Sequence, residues 1–421
     1  MMRKELYMRK VSTGALVGKR REGWTLILMK AGLVALLVSI TFGHECLLAA
    51  EQPGTEGSPI NTTDLGDRAA TMNPATKSNA FREVLKQLGA GQKPEPKLWS
   101  TFVAAQNDGL KTGPKIGAKV PDFTLSDQDG KQLSLHELMG PKGLLLIFSR
   151  SADWCPFCRS QLVELQESAE ALRRNGINPA SITYDSQEVL RRFSDTYHIS
   201  YPMLSDKGSV VIRKFGILNT NVPPDVTRFY GMPFPGQYLI GPDGTVKDKL
   251  FLPDFEERPT ASEVLLKDFG VGRGSVAIKA QDVNVKVIVS DTQSYGGHRL
   301  GVMVAFEVAP GWHIYGSPLP PEYRITRVKF STDLVQSQTL KFPASTPLTL
   351  EALGQTLPVY QGSFKAVGHI LLKQPLPTGN YKLAGTIEFQ ECNDTECKIP
   401  QSVPFALPLK IDPLVPAAPK A

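Results

Sequence analysis

An α/β domain followed by an all-β sandwich is the architecture that this 421-residue sequence predicts, and three observations carry it. From about 115 to 270 strand-like and helix-like segments alternate, as they do around a central sheet. Within that stretch GLLLIFS, residues 143–149, is an unbroken apolar run, the pattern of a strand covered on both faces. After the glycine-rich break GVGRG, 270–274, helical periodicity stops, and short alternating segments bounded by Pro, Gly and Asn take over.

The elements follow in order. Residues 1–50 are a basic start, an apolar stretch from Trp24 to Gly43 interrupted only by Lys30, and a small-residue exit at Ala49-Ala50. These are the parts of a cleaved signal peptide, and the apolar length also suits a membrane anchor. Both readings place the rest of the chain outside the cytoplasm, in the periplasm or on the outer face of the cytoplasmic membrane, where disulfides persist. Residues 51–114, rich in Gly, Pro, Thr and Asn, read as a low-complexity linker in which 80–88 and 97–105 are the two helical candidates. In the α/β domain, 115–270, VPDFTLSDQDGKQLSL predicts a hairpin turning at Asp129-Gly130. A helix from Pro156 to Asn175 carries Leu162, Leu165, Ala169 and Leu172 on one face, with Arg173-Arg174 in its last turn. The strand INPASITYD, two more helical segments, the hairpin GQYLI/TVKDKLFL and the helix ASEVLLKDFG complete it. Residues 275–412 supply the strands of the sandwich, and 413–421 read as a loose tail.

Of 47 basic and 41 acidic residues, eight and three fall in the first 50, which leaves 39 and 38 beyond. A near-neutral body, without basic runs interleaved with aromatics, argues against a nucleic-acid partner. Five cysteines are present. Cys46 lies in the leader, and the other four form two close pairs, Cys155/Cys158 and Cys392/Cys397. A zinc site needs two ligands more than either pair offers, and His136, His198, His298, His313 and His369 are scattered, so neither metal nor cofactor is expected.

WCPFC, 154–158, follows the buried strand and opens the helix. A thiol at a helix start faces unpaired amides and the positive end of the dipole, and both favour the reactive thiolate. Pro156 suits the first turn. Cys155 is therefore the attacking thiol and Cys158 the resolving one, with Trp154 and Arg150 as candidate tuning residues and Asp153 expected to be exposed.

VPDFTLSDQDGK, LLLIFS, WCPFC, YPMLSD and FPGQYLIGPDG together resemble the thioredoxin fold in its alkyl hydroperoxide reductase/thiol-specific antioxidant (AhpC/TSA), or redoxin, branch. The resemblance implies that Pro235, before the last hairpin, is cis and packs on the active disulfide. The sequence departs from the family in two places. Peroxidases of this branch carry Pro-x-x-x-Thr-x-x-Cys, but counting back from Cys155 the Thr and Pro places hold Ala152 and Phe148, and from Cys158 they hold Cys155 and Ser151. Thioredoxins carry a buried acid six residues before the first cysteine, where Ser149 stands here.

The second pair, in GTIEFQECNDTECKIP, together with APGWHIYG and the strand pattern, resembles the N-terminal, immunoglobulin-like domain of the bacterial disulfide reductase DsbD. That resemblance implies a second redox pair at Cys392 and Cys397 that exchanges disulfides with thioredoxin-like partners. A disulfide that only fastens a hairpin is the simpler alternative. The expected function is an exported thiol–disulfide oxidoreductase acting on protein thiols and disulfides, with exchange between the two pairs inside one molecule. An antioxidant peroxidase and a non-catalytic protein that binds redox partners are the alternatives.

Overall fold

In the computed structural model, which describes residues 66–350 and 354–419, two helices precede the α/β domain. Helix α1 spans Pro74–Gly89 and is capped by Asn73, whose side chain accepts from the Ala75 amide. Helix α2 spans Pro96–Ala105. Phe81 and Phe102 meet edge-on at 5.1 Å and pack with Val222 and Met232 of the later domain. From residue 66 onward the expectation of a loose linker is thus corrected. Few apolar positions are needed to dock these helices, and they are spaced too widely to outweigh the polar composition. The leader, 1–50, lies outside the described residues.

The α/β domain begins with the hairpin β1 (Thr124–Ser126) and β2 (Gln132–Ser134), and the short helix α3 (Leu135–Leu138) follows. Then come β3 (Gly143–Phe148), α4 (Pro156–Arg174), β4 (Ile177–Thr183), α5 (Gln187–Tyr197), β5 (Met203–Ser205) and α6 (Val210–Lys214). The hairpin β6 (Gly236–Ile240) and β7 (Val246–Phe251) precedes α7 (Ala261–Phe269). The strands form one sheet in the order β2-β1-β5-β4-β3-β6-β7. β3 lies parallel to β4 and antiparallel to β6, and all six of its residues are buried. This is the thioredoxin-like fold. Central β3 delivers the chain to α4 at one edge of the core, and there the first cysteine pair sits.

The sandwich is built from β8 (Gly274–Ala280), β9 (Val283–Val289), β10 (Gln293–Ser294), β11 (Arg299–Val308), β12 (His313–Tyr315), β13 (Arg327–Phe330), β14 (Val335–Lys341), β15 (Thr346–Leu350), β16 (Gln355–Tyr360), β17 (Ser363–Leu372), β18 (Gly379–Phe389), β19 (Glu391–Cys392) and β20 (Gln401–Ile411). Sheets β14-β17-β11-β9-β8 and β10-β20-β18-β13 enclose a core of Val285, Val287, Val302, Phe306, Ile387 and Leu407. A small third sheet, β15-β16-β12-β19, carries the second cysteine pair.

The break at 270–274 is a packed junction rather than a hinge. Gly270 ends α7 at φ 68°, a left-handed conformation that glycine adopts without strain. A Cβ at Gly272 would stand 2.5 Å from both Ile288 Cγ2 and the Val289 carbonyl oxygen. Between these glycines and β8, Arg273 reaches back to α4. Its Nη1 lies 2.8 Å from Glu167 Oε2 and 3.0 Å from Asp291 Oδ1, and its Nη2 donates to Ser168 Oγ at 2.8 Å. Asp291 also accepts from Ser262 Oγ at 2.6 Å, and Arg299 pairs with Glu263 at 2.8 Å. The two domains are therefore joined by a partly buried polar network as well as by the chain.

Candidate active site

The loop after β3 is shaped by one buried acid. Asp185, beyond β4, accepts from Ser151 Oγ at 2.9 Å, the Ala152 amide at 2.7 Å and Thr183 Oγ1 at 3.0 Å. Burial pushes its carboxyl up to about 6 against the pull of these donors. Asp153, expected to be exposed, is only 22% exposed and is held by Arg192 at 3.2 Å, because two cations, Arg192 and Arg228, converge on it.

Cys155 is the N-cap of α4: its backbone is extended, and its sulfur accepts from the Cys158 amide at 3.3 Å. Pro156 fills the first turn, where no amide is needed. Cys155 and Cys158 form a disulfide. Both are deeply buried, at 3% and 0% exposure, in a cluster with Phe157 and Tyr295, against which Trp154, Phe255 and Leu414 pack. Trp154 donates its indole N–H to Tyr184 Oη at 2.9 Å and meets Phe229 edge-on at 4.6 Å, which fixes the approach to the cap.

The cation beside the sulfurs is Arg258, which no sequence motif announces. It lies in the loop between β7 and α7 and is fully buried. Its Nη2 stands 3.8 Å from Cys155 Sγ and 3.7 Å from Cys158 Sγ, and its Nη1 is held by the carbonyls of Phe255 and Glu257. Burial lowers it to about 10, so it is still cationic at neutral pH. Arg150, the sequence candidate, is also fully buried but is turned toward the helical segment: it donates to Gln106 Oε1 at 3.0 Å and Asn107 Oδ1 at 2.6 Å. Burial and the nearby Arg258 both lower it. Among the described residues neither guanidinium forms an ion pair. A buried cation facing two sulfurs suits a thiolate better than a disulfide.

Pro235 is buried directly before β6, and Gly236 pairs with Phe148 at the end of β3. The cis bond expected there is corrected: the two cis bonds among the described residues are Ser317-Pro318 and Gln374-Pro375. The chain runs extended into β6, with the Phe234 amide donating to the Ile217 carbonyl at 2.8 Å, and the ordinary trans preference is kept.

The second pair is also a disulfide. Cys392 is fully buried on β19, opposite His313 of β12, whereas Cys397 is exposed. Tyr315 donates its hydroxyl to Cys392 Sγ at 3.0 Å and lies 3.6 Å from Cys397 Sγ. Burial raises that hydroxyl to about 12, so it stays a donor. Lys398 stacks over Trp312 at 3.9 Å and pairs with the buried Glu391 at 3.0 Å. His313 and Tyr315 of GWHIYG thus lie against Cys392. Cys397 is the sulfur open to solvent, and the Tyr315 hydroxyl is placed to donate to the buried Cys392 Sγ. Tyr315→Phe should slow reduction of this disulfide about 10- to 100-fold, since a hydrogen bond to a charged group contributes about 1.5–3 kcal/mol. Stopped-flow reduction with a dithiol checks this, and an unchanged rate excludes the role.

The two disulfides sit at opposite ends of the sandwich. Tyr295, beside Cys155, follows Ser294, which pairs with Ile411, and Ile411 pairs with Gly379 at the start of β18. Cys392 lies three residues beyond Phe389, where the eleven-residue strand β18 ends. Such a strand is about 35 Å long. Direct exchange inside one molecule, expected from the sequence, is therefore out of reach in this arrangement, because the sandwich docks by its far end. Among the described residues no cluster of three or more His, Cys, Asp or Glu could hold a metal ion.

Comparison with known proteins agrees with this architecture. Residues 116–249 match the AhpC/TSA family, and residues 285–408 match the N-terminal region of the thiol:disulfide interchange protein DsbD. Chloroplastic peroxiredoxin Q of Gentiana triflora is 32% identical over 131 residues, which are 31% of this chain and 56% of that protein, so the chain spans little more than half of that relative. Peroxiredoxin Bcp of Escherichia coli (strain K12) is 28% identical over 137 residues, 32% of this chain and 83% of that one. The crystal structure of peroxidoxin BcpB from Mycobacterium tuberculosis is 25% identical, covers 32% of this chain and 85% of that one, and has a TM-score of 0.28.

Proposed function

We propose that this redox enzyme, with an AhpC/TSA-type domain followed by a DsbD N-terminal-type domain, is an exported thiol–disulfide oxidoreductase. The observation that carries the reading is a Cys-x-x-Cys disulfide capping a helix, with the Arg258 guanidinium 3.7–3.8 Å from both sulfurs. Helix start and cation both favour the thiolate of the reduced pair. Exchange with a partner disulfide then runs through a mixed disulfide at Cys155, which Cys158 resolves. Cys392/Cys397 is a second exchange site, and its partner is another molecule, with Cys397 as the sulfur attacked. Export accords with two disulfides in one chain and with the basic, apolar leader.

The test is turnover of a model protein disulfide by the reduced protein, with each cysteine followed by mass spectrometry. With Cys392 and Cys397 both replaced by Ser, Cys155→Ser should abolish turnover, and Cys158→Ser should accumulate a mixed disulfide at Cys155. In the reduced protein Cys155 should be alkylated well before Cys158. Turnover that survives Cys155→Ser without the second pair would refute the reading.

A second reading, peroxide reduction, is favoured by the peroxiredoxin names of the relatives. Ala152 stands where such a loop would place its threonine hydroxyl, and the Ala152 amide is already committed to Asp185. Peroxide consumption that depends on Cys155 and outpaces disulfide turnover would make this the main activity.

A further inference from the structure

The segment after β20 does not hang free, as a loose tail would. It turns back across the start of α4. The Asp412 amide donates to the Ser294 carbonyl at 2.7 Å. At Val415 both backbone groups are read: the amide donates to Ser160 Oγ at 3.0 Å, and the carbonyl accepts from Arg159 Nε at 2.9 Å. The next carbonyl, of Pro416, accepts from the Tyr197 hydroxyl at 2.6 Å. Leu414 packs on the apolar cluster that contains Cys155 and Cys158. Pro413, Pro416 and Ala417 are exposed, while Leu414 and Val415 are half-buried and Ala418 is buried, so the segment is held mainly by backbone bonds with a few apolar contacts. The backbone is recognised by three side chains, and Leu414 packs on the cluster that holds the disulfide.

The same disulfide is closed to attack. Cys155 is 3% exposed, and thiol–disulfide exchange needs a third sulfur to reach the one attacked. We propose that residues 412–416 form a pseudosubstrate strap, which occupies in the oxidised protein the seat taken by an extended apolar segment of a partner protein during exchange at Cys155. This rests on the reading of Cys155/Cys158 as an exchange pair. With the strap lifted, a partner thiolate attacks Cys155 Sγ; the Cys155–Cys158 bond breaks, and its electron pair leaves on Cys158, beside Arg258. The partner's second thiolate then attacks the partner sulfur of the mixed disulfide and releases Cys155. The partner is oxidised by two electrons, Cys155 and Cys158 are reduced, and the protons of the two partner thiols end on solvent or on the new thiols. The reverse sequence serves the reduced protein acting on a disulfide. Because the strap is tethered at Ile411, it competes at high local concentration, and only a partner with further contacts displaces it.

The experiment compares the full chain, a form ending at Asp412 and full-length Leu414→Asp. The readout is reduction of Cys155–Cys158 by dithiothreitol, followed at each cysteine. A seat that is open a tenth of the time or less should give about a tenfold faster rate in both variants. The rate at Cys392–Cys397, at the far end of the sandwich, should not change and controls for misfolding. A synthetic peptide of residues 413–419, PLVPAAP, should saturably slow the truncated form again. Unchanged rates in both variants, or a gain that the peptide does not reverse, would overturn the strap. Protein-disulfide turnover separates this from the parent reading. Faster dithiothreitol reduction reversed by the peptide, with no protein turnover in any form, keeps the strap and removes the oxidoreductase. Equal protein turnover with and without residues 413–421 keeps the oxidoreductase and removes the strap.

Discussion

Arg258→Met should raise the pH midpoint of Cys155 alkylation by about 1–2 units and make the Cys155/Cys158 couple more reducing by about 30–60 mV. The sign follows from which redox state the guanidinium serves. In the disulfide it is a buried cation 3.7–3.8 Å from two neutral sulfurs, with Arg150 nearby and no ion pair of its own among the described residues. On reduction the thiolate becomes its counter-ion. Removing Arg258 therefore destabilises the reduced form and lowers the potential, since one pKa unit is about 1.4 kcal/mol and 30 mV is about the same for a two-electron couple. Arg258→Lys should recover part of both shifts, because it restores a charge without the fork held by the Phe255 and Glu257 carbonyls. Equilibration against glutathione and alkylation against pH measure the two quantities. A higher potential in Arg258→Met would show that the guanidinium favours the disulfide.

Arg273→Ala should cost about 3 kcal/mol and loosen the domain junction, because it strips the cation from a buried acidic group. Glu164 and Asp291 both face Arg273, at 3.8 and 3.0 Å, and Asp291 is 1% exposed. Burial and Asp291 push the Glu164 carboxyl up, while Arg273 pulls it down. In the native protein this raised acid binds its proton more readily folded than unfolded. Its contribution to stability is thus greatest below the ordinary carboxylate value and falls as pH climbs to the raised one. Without Arg273 the carboxyl climbs further. The deficit of the variant should then be widest near pH 8 and narrow toward pH 5. Urea unfolding across that range tests this, and a deficit independent of pH would mean that the loss is one of packing.

The sequence made some of this legible and not the rest, for physical reasons. Strand β3 and helix α4 announce themselves through an unbroken apolar run and a clear helical period, so the placement of Cys155 at a helix start was readable. The sandwich was readable from alternation. Arg258 was not: it sits in FEERPT, a charged loop segment whose burial depends on a tertiary fit a hundred residues from the cysteines. Arg150 carried the same residue type closer in sequence, but its side chain is taken by Gln106 and Asn107. Tyr315 is legible only as part of the APGWHIYG stretch, since nothing local says that its hydroxyl meets a sulfur. At Pro235 a family expectation met a backbone that continues extended into β6. The strap was hidden by its composition, because backbone bonds hold it and backbone bonds leave no trace in residue type.

On the proposed reading, the length of β18 between the two disulfides also acts as an insulator. Two couples in van der Waals reach of one another would drain to a common poise, and the stronger reductant would be spent inside the molecule. Held apart, two exchange pairs would behave as two terminals, each charged and discharged only through whatever docks at its own end. One chain can then carry two potentials at once, and a partner sees whichever end it fits.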